Sequence, residues 1–161
     1  MRHPAASKPF ASPPAADNVQ RMRLALYQPD IPQNAGAVIR LGACLGLGID
    51  LIEPLGFILD DRRLRRAHMD YLKHVQVTRH GSWERVLLTT KGDIRYTDFR
   101  FTPEDVLLLG RESSGVPEEV HHQAAARLRV PLQPGLRSLN VAIAAAMVIG
   151  EALRQTEGFP P

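Results

Sequence analysis

Three short stretches combine polar side chains that can bind an anion or hold a proton with backbone that must turn sharply. The first is Pro32-Gln33-Asn34-Ala35-Gly36-Ala37-Val38-Ile39-Arg40. Arg40 stands between Ile39 and Leu41 in an otherwise apolar helical pattern. A long cation so placed either snorkels outward or reaches a specific anion. Asn34 suits a helix N-cap, where its side chain accepts a backbone N–H, or equally a polar contact in a site. The second stretch is Leu107-Leu108-Leu109-Gly110-Arg111-Glu112-Ser113-Ser114-Gly115-Val116-Pro117. An apolar strand pattern runs into a polar loop between two glycines, and Pro117 is placed to begin a helix. Open α/β sheets bind ligands at such points, beyond the carboxyl ends of their strands. The third stretch is Val130-Pro131-Leu132-Gln133-Pro134-Gly135-Leu136-Arg137-Ser138-Leu139-Asn140-Val141-Ala142. Another strand pattern ends there and a Pro/Gly loop follows. Ser138 can cap the apolar helix beyond it, and Asn140 in the first turn serves as a further cap or as a site residue.

The elements that must position these residues alternate between strand and helix. Leu24–Tyr27, Ile49–Ile52, Val75–Thr78, Val86–Thr89, Val106–Leu109 and Leu128–Val130 have the composition of short buried strands. Asn34–Leu45 predicts a helix with Val38, Leu41 and Leu45 on its apolar face. Asp60–Tyr71 predicts a charged helix with Asp60 and Asp61 at its electropositive start. Leu139–Gln155 predicts the last helix, and the alanines of Ala142–Ile149 read as ordinary core packing. This order implies an α/β domain with a mainly parallel sheet and helices on both faces. The connection between Thr78 and Val86 is too short for a parallel crossover, which normally takes a dozen residues or more.

A length of 161 residues suits one domain with a single sizeable core. Residues 1–21 are rich in Ala, Pro and Ser and are expected to form a disordered extension, with the ordered domain spanning 22–161. The extension lacks the continuous apolar segment of a secretory signal. No apolar run approaches the roughly 20 residues of a membrane span. Cys44, the single cysteine, excludes an internal disulfide framework and a multi-cysteine zinc site. It reads as a small core residue in a protein of the cytoplasm. Adjacent His121 and His122 point apart on a helix, so no metal is expected. Gly42, Gly46 and Gly48 do not follow the order of a dinucleotide-binding loop. The 20 Lys and Arg against 17 Asp and Glu give a net charge of only +3. Their distribution is more telling, because Arg62, Arg63, Arg65 and Arg66 fall within five positions. These four cannot all face one way on a helix. They form either a solvated face or a phosphate-binding surface.

Taken together, Asn34…Arg40, Gly110-Arg111-Glu112…Gly115 and Ser138-Leu139-Asn140 resemble, in order and spacing, the three motifs of the SPOUT methyltransferases. The flanking Tyr27-Gln28-Pro29-Asp30-Ile31-Pro32-Gln33-Asn34 and Asp60-Asp61-Arg62-Arg63-Leu64-Arg65-Arg66-Ala67 narrow the resemblance. They are similar to the members that methylate the ribose of the tRNA wobble nucleotide, cytidine or uridine 34. The resemblance covers Met22 to Gln155 and implies a C-terminal trefoil knot, a homodimer, S-adenosylmethionine as methyl donor and tRNA as substrate. It places Leu88, Gly110, Val130 and Ser138 in the donor site, and Asn34, Arg40, Glu112 and Asn140 near the reacting ribose. Arg62, Arg65, Arg66 and Arg137 are expected to meet RNA phosphates. Three departures stand out: the short link from Thr78 to Val86, Gly150 where some relatives carry a tyrosine, and Ile143 where a polar residue is common.

The family proposal makes Arg40 the proton acceptor, yet a guanidinium stays protonated with a pKa above about 12. Arg40 better suits clamping a phosphate and stabilising developing alkoxide charge, which leaves proton removal to phosphate, water or Glu112. Other readings are methylation of a different RNA ribose, a non-catalytic RNA-binding relative, or a phosphate-binding α/β protein.

Overall fold

The segment around Leu24 is apolar at nearly every position, the composition of a strand covered on both faces. In the computed structural model, which describes residues 22–57, 77–80 and 86–161, this segment is β1 (Arg23–Tyr27). It is followed by α1 (Pro32–Leu45), β2 (Gly48–Ile52), β3 (Val77–His80), β4 (Val86–Leu88) and β5 (Ile94–Arg95). A single 3-10 turn (Tyr96–Asp98), β6 (Val106–Leu109), α2 (Glu118–Gln123), β7 (Ala126–Arg129) and α3 (Val141–Thr156) complete the described elements. The strands form one sheet in the order β3-β2-β1-β6-β4-β7-β5. Every pairing in it is parallel.

Period-two alternation divides the strands between two cores. Leu24, Leu26, Ile49, Leu51, Leu107, Leu109 and Leu128 face Val38 and Ile39 of α1 and Val148 and Ile149 of α3. Ala25, Tyr27, Ile52, Leu87, Val106 and Leu108 lie in a second cluster with Val120 of α2. Helices therefore cover both faces, as the alternation of elements predicts. Each fully buried leucine contributes about 1.5–3 kcal/mol. Among the described residues the one buried charge, Asp50 on β2, is satisfied in a bidentate pair. Arg23 on β1 donates to it from Nε at 2.9 Å and from Nη2 at 2.7 Å.

Several boundaries and faces differ from expectation. Pro32 opens α1 after an extended Ile31, so Asn34 stands within the first turn and is not the cap. The buried stripe of α1 is Ala35, Gly36, Val38, Ile39 and Gly42, while Leu41 and Leu45 are only partly buried. Small residues at 35 and 42 let the helix lie close on the sheet, so a β-carbon added at Gly42 would collide with Ile49. Cys44 is off that stripe and is exposed, not a core residue. The helix ends at Gly46, whose φ of 68° is left-handed, with the Leu47 N–H bonded to the Gly42 carbonyl at 2.9 Å. The strand expected at 75–78 is found at 77–80, that expected at 128–130 is found at 126–129, and β5 was not anticipated.

The short link from Thr78 to Val86 also changes meaning. β3 and β4 are not neighbours, since β2, β1 and β6 lie between them. Residues 81–85, the 1–21 extension and the 60–71 helix lie outside the described residues.

Because β1, β4, β6 and β7 are parallel and adjacent across the sheet's centre, their carboxyl ends open on one rim. Four connections leave that rim: 28–31 after β1, 89–93 after β4, 110–117 after β6, and 130–140 after β7.

Candidate active site

The loop after β6 is closed on itself before any side chain is considered. Arg111 N–H donates to the Gly115 carbonyl at 2.9 Å, and Gly115 N–H donates back to the Arg111 carbonyl at 2.7 Å. Gly115 has φ +71°, a left-handed conformation that a β-carbon would strain. A β-carbon on Gly110 would sit 3.0 Å from the Gly115 backbone. The two glycines thus let the chain reverse tightly, which holds Arg111 and Glu112 at a fixed orientation.

From this loop a polar chain runs across three elements. The Asp30 N–H donates to Glu112 Oε2 at 3.1 Å, and Arg111 Nε donates to Asp30 Oδ2 at 3.1 Å. Asp30 Oδ1 and Glu112 Oε1 are buried and find no hydrogen-bond donor among the described residues. Burial, and then the Asp30 carboxyl beside it, push Glu112 above its ordinary range, while a bond from Asn34 acts against the shift. The hydrogen bond from Glu112, with Ser113 and Arg111 assisting, lowers Asp30 to about 2. The two carboxyls are thus shifted in opposite directions, Glu112 toward holding a proton and Asp30 toward charge.

Asn34 extends the chain. Its Oδ1 accepts from Asn140 Nδ2 at 2.8 Å across 106 residues of sequence. Asn140 Oδ1 in turn accepts from the N–H groups of Ala142 at 2.9 Å and Ile143 at 3.4 Å, which makes Asn140 the N-cap of α3. Ser138, the expected cap, is not used so. Asn140 is at once cap and cavity residue.

These groups border a cavity of about 660 Å³ at the carboxyl rim. That is within the roughly 300–1,000 Å³ of sites for small ligands and cofactors. Leu88, Gly110, Val130 and Ser138, the four expected donor-site residues, all line it. Asn34, Glu112, Asn140 and Arg137 line it too. Arg40 does not. It is exposed on α1, six positions beyond Asn34 and so about 9 Å further along the helix. Arg62, Arg65 and Arg66 lie outside the described residues. Gly150, where a departure was noted, is not on the cavity wall, and a β-carbon there meets nothing within 4 Å.

Sequence reasoning missed Asp30 and His121. Asp30 stands between two prolines, in Pro29-Asp30-Ile31-Pro32, and its role shows only once the β6 loop is folded against it. His121 lines the cavity, and the orientation expected for the histidine pair needs revision. Their ring planes stand at 90°, but one ligand atom from each of Glu118, His121 and His122 lies within 4.8 Å of the others.

Comparison with known proteins bears on this geometry. The profile of the SpoU rRNA Methylase family matches residues 21–150. A tRNA (cytidine(34)-2′-O)-methyltransferase of Beijerinckia indica subsp. indica is 58% identical over 144 residues, covering 82% of this chain and 90% of the relative. The Escherichia coli K12 protein of the same name is 38% identical over 151 residues, covering 86% and 96%. A solved structure described as giving structural insights into the 2-OH methylation of C/U34 on tRNA has a TM-score of 0.78 and 41% identity, covering 84% of this chain and 96% of that one. An AdoMet-bound rRNA methyltransferase from Sinorhizobium meliloti has a TM-score of 0.75 and 26% identity, covering 83% and 56%.

Proposed function

Because the chain belongs to the SpoU rRNA Methylase family, we infer that it is an S-adenosylmethionine-dependent tRNA 2′-O-methyltransferase acting on the ribose of the wobble nucleotide, cytidine or uridine 34. The observation that carries this reading is the meeting of Asn34, Glu112 and Asn140 on the wall of one cavity at the carboxyl ends of the strands. Relatives that share most of the chain's length carry that activity in their names.

The cavity suits the methyl donor. Its volume matches a nucleoside-sized ligand, and Gly110 and Gly115 admit close backbone approach. Leu88, Gly110, Val130 and Ser138 would hold the donor. When bound, it supplies a methyl group already activated on a sulfonium. The protein's task is then to place the 2′-hydroxyl in line with that group and to accept its proton.

Asn34 and Asn140 hold each other at 2.8 Å on the cavity wall, where they would meet the substrate. Glu112, kept protonated more readily than an ordinary carboxyl, becomes a correspondingly stronger base once its proton has been lost to solvent. Arg40, outside the cavity, is suited to clamping a phosphate next to the reacting ribose.

The same reading implies a C-terminal trefoil knot, a homodimer and action in the cytoplasm. Dimerisation draws support from Ile143 and Met147, which are one turn apart on α3 and 56% and 40% exposed. No helix among the described residues is long and apolar enough to cross a membrane.

The test is radiolabelled methyl transfer to total tRNA, followed by mapping of the modified ribose. Label on the 2′-oxygen of nucleotide 34 is expected. Label on another ribose would redirect the substrate assignment, and donor binding without transfer would favour a non-catalytic RNA-binding relative.

A further inference from the structure

We propose that His121 is a donor-binding residue, making a hydrogen bond to the adenosyl part of the methyl donor. This rests on the reading of the cavity as the donor site. On α2, Val120 is 5% exposed and belongs to the core on the second face of the sheet. The next residue is turned by about 100°, which brings His121 onto the cavity wall with Leu87 and Val116. Both its nitrogens, Nδ1 and Nε2, are buried and have no hydrogen-bond partner among the described residues. Proteins pair nearly all buried polar atoms because an unpaired one loses its water without compensation. His122, the neighbour, shows the ordinary alternative: exposed and 3.1 Å from Glu118. Packing alone leaves both nitrogens of this cavity-lining histidine without the partners that a ligand could supply.

The chemistry of the wall points to the adenosyl half. Neutral imidazole offers one N–H donor and one lone pair. A purine edge and ribose hydroxyls match that combination. The amino acid half of the donor is zwitterionic, and the charged Lys91 and Arg137 on the same cavity suit it better.

Calorimetric binding of S-adenosylhomocysteine and of 5′-methylthioadenosine, which lacks the amino acid half, tests this on the full-length chain and on His121→Leu and His121→Gln. His121→Leu should weaken both ligands about tenfold, the scale of one lost hydrogen bond. His121→Gln, with a donor and an acceptor, should recover most of the loss. The ligand-free melting midpoint and the affinity for tRNA should not change. Wild-type affinity of His121→Leu for both nucleosides would overturn the proposal, as would weakening of S-adenosylhomocysteine alone. A loss of kcat with donor affinity intact would assign His121 to proton transfer instead, and a lowered ligand-free midpoint that Gln does not restore would make it structural. If the wild-type chain binds neither nucleoside, the donor reading itself falls and this inference with it, a result distinct from all the others.

Discussion

Glu112 and Asp30 place two carboxyls side by side, and such a pair ionises in turn rather than together. The sign of the pH dependence follows. Asp30, lowered to about 2, is charged throughout the working range. Glu112, raised above 4.5 by burial and by Asp30, offers a proton-accepting carboxylate only as pH climbs past its raised value. If Glu112 accepts the hydroxyl proton, kcat/KM falls on the acid side at a pH above the ordinary carboxylate range. Glu112→Gln keeps a donor toward Asp30 but cannot take a proton. It should cost on the order of a hundredfold in turnover and erase that acid limb. A variant with normal turnover and an unchanged profile would reduce Glu112 to a prop for Asp30. None of this pairing could be read from residue types. Glu112 was legible as a site residue from its glycine-bounded loop, but Asp30 needed the fold to bring together positions 82 apart.

At the scale of elements, Asn140 joins a helix end to the cavity wall, and the two duties can be separated by substitution. Asn140→Ala removes the acceptor for Ala142 and Ile143, which should cost about 1 kcal/mol of stability. Asn140→Asp keeps an acceptor at the helix start, where negative charge is favourable, but has no N–H for Asn34. Thermal melting should therefore find the Ala variant less stable and the Asp variant close to wild type, while both lose methyl transfer. Full turnover in Asn140→Asp would show that the link to Asn34 is dispensable. The helices themselves were legible from apolar periodicity, and their starts were not. Asn34 and Ser138 both have good cap chemistry, yet Pro32 begins α1 earlier and Asn140 begins α3 later. Local propensity offers several caps, and packing against the sheet selects among them. β5, with only Ile94 and Arg95, is too short to leave a periodic signal at all.

For the whole molecule, buried parallel strands announced themselves by continuous apolar runs, but their order could not be read. Strand order depends on which long-range pairing buries most surface, and nothing local encodes that β6 lies between β1 and β4. That order is what brings the loops of residues 89–93, 110–117 and 130–140 to one rim, with Arg137 exposed on it. An RNA threading its wobble nucleotide into this cavity must pass phosphates near that rim, and a net charge of +3 gives little attraction at long range. Binding should then depend on a few local contacts. Each phosphate contact to a single-stranded segment adds about 0.7 to the slope of log affinity against log salt. Arg137→Ala should lower the slope measured with tRNA by about that amount. An Arg65→Ala, Arg66→Ala double change should lower it further if that cluster touches the stem. Should Arg137→Ala leave both slope and methyl transfer untouched, the phosphate path must cross the molecule elsewhere, and the rim would serve the donor and the ribose alone.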